Sequence, residues 1–234
     1  MEKVIYVVWR DPSVDVDQFG QQLRTVLAPK LKTLGVKSLR INVADAQIAP
    51  ATNIWQKHST PPVEALVQVW LDSAIGLRRA PIDAAIAEVT ARHAAYLVAE
   101  SVVIANTLHP ARLGARTEGF AQIALFPHAS GLTHEQFLHT WQESHTTVAI
   151  ETQANFEYVQ NRVVRALTPG AREIHAIIEE SFPAAAMTDP QVFFDAVGDP
   201  AKFDQNLKLM MESVGRFIDM ARIDVAPTSQ YPMF

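Results

Sequence analysis

SVDVDQFGQQLRTVL (residues 13–27) and GLTHEQFLHTWQESH (residues 131–145) carry one helix-start signal twice, 118 residues apart. In the first, Asp15 can accept hydrogen bonds from the free N–H groups of a first helical turn. Gln18, three residues on, can reach back to the cap, and Val14 and Phe19 flank it as a hydrophobic staple. In the second, Thr133, Gln136, Leu132 and Phe137 fill the same four roles. Each signal follows a β-branched and aromatic run short enough for a buried strand, KVIYVVW (3–9) and GFAQIALF (119–126). The first helix is expected to run to about residue 33, with Gly35 at its exit.

Outward from these points the two halves keep one order. VKSLRINV (36–43) and FEYVQNRV (156–163) read as second strands, and VEALVQVWL (63–71) and REIHAIIEESF (172–182) as third strands. A helix is expected over 81–94 in the first half and over roughly 200–219 in the second. YLVAESVVIAN (96–106) and ARIDVA (221–226) then read as last strands. The order is βαββαβ twice. The fold class expected is α+β: tandem ferredoxin-like halves forming one intramolecular α+β barrel with the helices outside. One βαββαβ unit leaves a sheet face bare, and two can bury those faces against each other. The expected divisions are 1–108, a linker at 109–118 containing Pro110 and Gly114, and 119–234. The halves differ at QIAPATNIWQKHSTPP (47–62), a long loop where the second half has only LTPGA (167–171). With Trp55 and His58 it reads either as a lid or as a surface excursion pinned by Trp55.

Composition removes several classes of function. Hydrophobic residues make up 48% and charged residues 19%, enough apolar material for a packed core and too little charge for disorder. The formal net charge is −5 and the cations are scattered, so no groove for a nucleic acid is expected. The absence of cysteine excludes disulfides, thiolate nucleophiles and cysteine-held iron or zinc. The apolar run at the start follows Glu2 and is short for a signal peptide, and no window suits a membrane helix. A cytoplasmic protein with no membrane partner is expected.

The chemistry-bearing residues cluster in the second half. Phe137, Trp141 and His145 recur at i, i+4, i+8, which puts His145 on the buried side of its helix. A buried imidazole is costly without a partner or a wet pocket. The matching first-half residues are Phe19, Leu23 and Leu27, so the fold itself does not require a histidine at this place. His145 serves either a site or a core hydrogen bond. On the next strand Val159, Asn161 and Val163 share one face, Tyr158 and Gln160 the other. With the valine face toward the helices, Asn161 would reach His145 or a ligand, and Tyr158 would line the interior between halves. Tyr158 reads either as a core aromatic with a bonded hydroxyl or as a catalytic acid.

F-x-x-x-W-x-x-x-H followed by Y-x-Q-N, here Phe137, Trp141, His145, Tyr158, Gln160 and Asn161, resembles the EthD family of dimeric α+β barrel proteins. The motif covers about residues 119–165. The resemblance implies a ferredoxin-like half whose sheet pairs with a second sheet to make a barrel. It also implies a pocket between helices and sheet. Related barrels include cofactor-free monooxygenases, polyketide cyclases and dehydratases, and accessory proteins of ether or aromatic degradation. The first half departs from the motif at Leu23 and Leu27, which argues against a second, symmetric site.

His134 and His139 suggest a zinc HExxH, but the second histidine comes one place late and the pair diverges by about 140° around a helix. His175 is placed on one strand face with Glu173 and Glu179. No phosphate loop, G-x-S-x-G or dinucleotide fingerprint occurs. The expectation is an enzyme without metal or organic cofactor, acting by acid–base catalysis on a small hydrophobic, aromatic molecule. Lyase, dehydratase, cyclase or isomerase chemistry in aromatic catabolism or secondary metabolism would fit. His145, Tyr158 and Asn161 are the catalytic candidates, and Phe137, Trp141 and Trp55 the substrate-binding ones. The alternatives are a cofactor-free monooxygenase and a binding or accessory protein without turnover. A homodimer is left open.

Overall fold

Eight antiparallel strands close into a barrel in the computed structural model, which describes residues 1–234. The first half runs β1 (Glu2–Trp9), helix α1 (16–33), β2 (Ser38–Val43), a 3-10 helix (Ala46–Ile54), β3 (Ala65–Leu71), α2 (Gly76–Ala87) and β4 (Arg92–Ile104). The second runs β5 (Phe120–Phe126), α3 (134–152), β6 (Glu157–Ala166) and β7 (Ala176–Phe182). A 3-10 turn (Ala184–Met187), the short α4 (Pro190–Phe193), α5 (Pro200–Val214) and β8 (Asp224–Pro232) complete it. Both halves thus have the order βαββαβ. Around the barrel the strands lie β1-β3-β2-β8-β5-β7-β6-β4, and β4 returns to β1. Each half offers a four-stranded sheet with two open edges. Pairing β4 with β6 and β2 with β8 removes all four.

Alternation along each strand sorts the residues into an inside and two outsides. Val4, Tyr6, Leu39, Ile41, Val67 and Val69 face the first-half helices. Ala124, Phe126, Tyr158, Ile178 and Val225 face the second-half helices. Inside, one end of the barrel is apolar, with Ile5, Val7, Leu66, Tyr96 and Ile123. The other end holds an ionic network in which Arg40 bonds Glu157 (2.9 Å) and Glu179 (2.8 Å). Asn42, Gln68 and Gln230 complete the coordination of Glu179. Burial disfavours the Glu179 charge, but Arg40, Lys3 and the amides of Gln68 and Asn42 outweigh it and hold the carboxyl below the usual range.

Several elements differ from the sequence reading. Helix α2 begins at Gly76, not 81, and ends at Ala87. Pro81 lies inside it on an exposed face, where water can serve the carbonyl that the ring leaves without a donor. Residues 92–94, read as helix, are strand because they pair with β1. Strand β8 continues past Pro227 to Pro232. Pro227 opposes Gln122 of β5 at a level where β2 does not pair, so β2 asks no ladder bond of it. Residues 47–62 form the 3-10 helix and then a bridge from Gln56 to Val225. The segment 183–199 was not anticipated. The faces of β6 are reversed: Tyr158 and Gln160 turn to the helices, while Asn161 and Val163 point into the barrel. His175 precedes β7 and stacks on His128, away from Glu179, which is in the interior network. No helix is long and apolar enough to cross a membrane.

Candidate functional site

Helix α3 presents His145 through an unexpected piece of backbone. Residues His139–His145 are π-helical, as are Leu23–Leu27 in α1. In an α-helix each i, i+4 step drifts by about 40°. The wider π turn, closed by i→i+5 bonds, takes up that drift. Phe137, Trp141 and His145 therefore stay on one buried line, as Phe19, Leu23 and Leu27 do in α1. The start of α3 is fixed by a full capping box between Thr133 and Gln136, whereas Asp15 caps the N–H groups of Asp17 and Gln18.

A cavity of about 510 Å³ opens between α3, α5 and the sheet of the second half. The segment 184–194 and residues Asn53, Ile54 and Gln56 close it. In the first half the equivalent space is filled by Leu27, Leu31, Ile82 and Ile86, all buried. The cavity walls are apolar, with Phe126, Phe193, Phe194, Met187 and Met210 among them. Its size suits a small organic molecule.

The polar groups stand on the sheet. Register pairs Glu180 of β7 with Gln122 of β5 on one side and Tyr158 of β6 on the other, so the three form a row. The offset of 118 carries Val4 to Gln122, and the matching first-half row is Val4, Val69 and Leu39. The fold is satisfied by aliphatic residues at all three places. Glu180 is buried and receives only two long amide bonds, from Asn155 (3.2 Å) and Gln122 (3.4 Å). Burial raises its pKa to about 7. Burial also raises that of Tyr158, with the nearby Glu180 charge adding to it, and the Tyr158 hydroxyl accepts a bond from Gln160 (2.8 Å). His145 Nδ1 lies 3.0 Å from Ser213 Oγ, and its ring lies against Phe217. Burial and the Arg216 charge lower its pKa to about 4, so the imidazole is neutral at neutral pH. The amide oxygen of Gln153, which lines the cavity, has no hydrogen-bond partner; neither has that of Asn155.

Of the six residues singled out from sequence, His145 and Tyr158 meet in this cavity. Phe137 and Trp141 are fully buried behind it, in an aromatic stack with Phe126 and Phe217. Trp55 packs on the barrel core beneath Lys57 while its neighbours line the cavity. Asn161 bonds the Ile177 carbonyl inside the barrel, far from the role beside His145 that the reversed face assignment suggested. Glu180, Gln122 and Gln153 were missed. Glu179-Glu180 within the apolar run AIIEESF was the available signal, since one carboxylate must face each side of a covered strand. His134 and His139 are exposed.

The geometry defines a single-chain α+β barrel with one helix–sheet cavity polarised in its second half. Residues 129–221 match the model of the EthD domain, so the resemblance seen in Phe137, Trp141, His145 and Tyr158 holds for that half. No protein with curated annotation matches the sequence. Among solved structures, the chain is similar to an anthrone oxidase-like protein, at 13% identity and a TM-score of 0.58, over 99% of this chain and 92% of the other. A second similar structure is described as "putative monooxygenase from Lactobacillus acidophilus NCFM", at 10% identity and a TM-score of 0.47, over 98% and 93%. The first of these likenesses establishes a shared fold.

Proposed function

We propose that this chain is a cofactor-independent enzyme that transforms a small hydrophobic, aromatic molecule by acid–base catalysis in the second-half cavity. One observation carries the reading: Gln122, Glu180 and Tyr158 stand in a buried row where the first half has Val4, Val69 and Leu39. Buried polar groups cost stability, so a fold that manages without them in one half keeps them in the other for another purpose. Apolar walls would hold the ring system. Tyr158 and His145 would supply hydrogen bonds to a substrate oxygen, and proton transfer by a positioned side chain is worth roughly 10²–10⁴ in rate. Lyase, dehydratase, cyclase or isomerase chemistry follows from moving a proton within one substrate. Cofactor-free oxygenation is the second reading, favoured by the fold shared with a protein called anthrone oxidase-like. The two halves, 1–108 and 119–234 with 109–118 between them, would descend from one duplicated unit whose first copy lost its site.

Ala124, buried on the cavity floor, provides the test. Ala124→Phe fills the cavity from the sheet side. It is expected to abolish binding of 2-naphthol, followed by fluorescence, and turnover of aromatic ketones or phenols, followed by NMR, while the protein stays folded. Undiminished binding by the filled variant would overturn the placement of the site.

A further inference from the structure

We infer that Glu180 is the recognition and proton-accepting group of the cavity, and that it selects uncharged aromatic molecules bearing a hydroxyl donor. The inference rests on the small-molecule reading above and adds the residue and the ligand class. Three features of the site converge on it.

First, the cavity contains no cation. Its lining includes no Lys, Arg or Asp, and Glu180 makes no ion pair. The titratable groups that share the cavity are Tyr158 from β6 and His145 from α3. The facing residues of β5, α5 and the segment 184–194 are Gln122, Met210, Met211, Val214, Met187 and Thr188. An anionic ligand would meet a carboxylate and nothing to neutralise it.

Second, buried acceptors at the site are weakly held or have no partner. Glu180 has two weakly held oxygens. Gln153, nine-tenths buried, has an amide oxygen with no partner, and the Asn155 amide oxygen also has none. Buried acceptors of this kind are normally satisfied. A ligand O–H pointed at Glu180 supplies the missing donor. In the reactive step the O–H bond breaks heterolytically. The proton goes to a Glu180 oxygen and the electron pair stays on the ligand oxygen, which becomes an electron-rich phenolate-like atom. The proton returns to another atom of the same molecule, and no further reactant is consumed.

Third, the position is not a structural necessity. Val69 occupies the matching place in the first half. Glu180 titrates near neutrality, while His145 is already neutral and Tyr158 remains protonated, so of these three cavity groups Glu180 is the one that changes charge between pH 6 and 8.

The experiment uses the whole chain and three probes: 2-naphthol, its methyl ether and 2-naphthoate. Fluorescence titrations are run from pH 6 to 8 on wild type, Glu180→Gln and Glu180→Val. A ¹³C-carboxyl NMR titration of labelled glutamates follows Glu180 directly. Wild type is expected to bind 2-naphthol at least tenfold more tightly than either other probe, with affinity rising as Glu180 ionises. The preference for the hydroxyl is expected to vanish in Glu180→Val and its pH dependence in Glu180→Gln. The resonance assigned to Glu180 should titrate near pH 7. A preference retained in Glu180→Val, equal binding of 2-naphthoate, or a Glu180 carboxyl that is ionised at pH 5 would overturn the assignment. Failure of wild type to bind any of the probes would instead remove the small-molecule reading beneath it.

Discussion

His145 and Glu180 oppose each other in their effect on stability, and this makes both testable one residue at a time. Glu180 has a folded pKa raised to about 7 from 4.5, so the folded state holds its proton where the unfolded chain has lost it. Its contribution therefore worsens as pH rises from 4.5 to 7 and is constant above. His145 has a folded pKa lowered to about 4 from 6.5, so its contribution worsens as pH falls through that interval. Each shift corresponds to roughly 3 kcal/mol, and the two nearly offset between pH 4.5 and 6.5. Substitution separates them. Relative to wild type, Glu180→Gln is expected to gain stability at pH 8 that it lacks at pH 4.5. His145→Leu is expected to gain at pH 4.5 relative to pH 8. Urea unfolding at both pH values checks the pair, and equal effects at the two would contradict both shifts. At neutral pH, His145→Leu costs little, because Ser213 Oγ still receives a bond from Arg216 (3.0 Å). A large loss of ligand binding without a large loss of stability would then mark His145 as part of the site.

At the scale of elements, the starts of α1 and α3 were legible because their caps are local. The Thr133–Gln136 box forms as its residues dictate, and Thr133→Ala is expected to cost about 1 kcal/mol in unfolding free energy. Thermal melts should register it, and an unchanged melting temperature would mean that tertiary packing alone fixes the start of α3. The π-helical stretch was not legible, although a clue lay in the strict i, i+4, i+8 spacing of Phe137, Trp141 and His145. That spacing drifts one way around an α-helix, and a wider π turn drifts the other way and restores the line. Helix α2 was misplaced because Pro81 resembles a first helical residue. Strand β8 was cut short because Pro227 resembles a strand end. In the second case a neighbour outside the local window, β5, decided the matter.

For the whole molecule, closure of the barrel ties the two halves through buried charge. Arg40, from the first half, is the shared partner of Glu157 and Glu179 from the second. Arg40→Met would leave two buried carboxylates without their cation, at an expected cost of about 3–5 kcal/mol. The loss should appear as a lower urea midpoint with a single transition, since β2–β8 and β4–β6 make the halves one cooperative unit. Two separate transitions would show instead that the halves unfold independently.

By itself the sequence determined the order βαββαβ in each half, the helix starts at Asp15 and Thr133, and the burial of the stripe that ends in His145. These follow from hydrogen-bonding groups and apolar residues only a few positions apart. The tertiary structure alone decided which face of β6 turns inward, and so moved Asn161 into the barrel and Tyr158 to the cavity. It also brought Gln122, Glu180 and Tyr158 into one row from strands far apart in the chain. The reason is physical: a strand with polar and apolar residues on both faces has no preferred side until its partners supply one. Here the ionic network claimed Glu157 and Glu179 for the inside and left Tyr158 and Glu180 to the cavity.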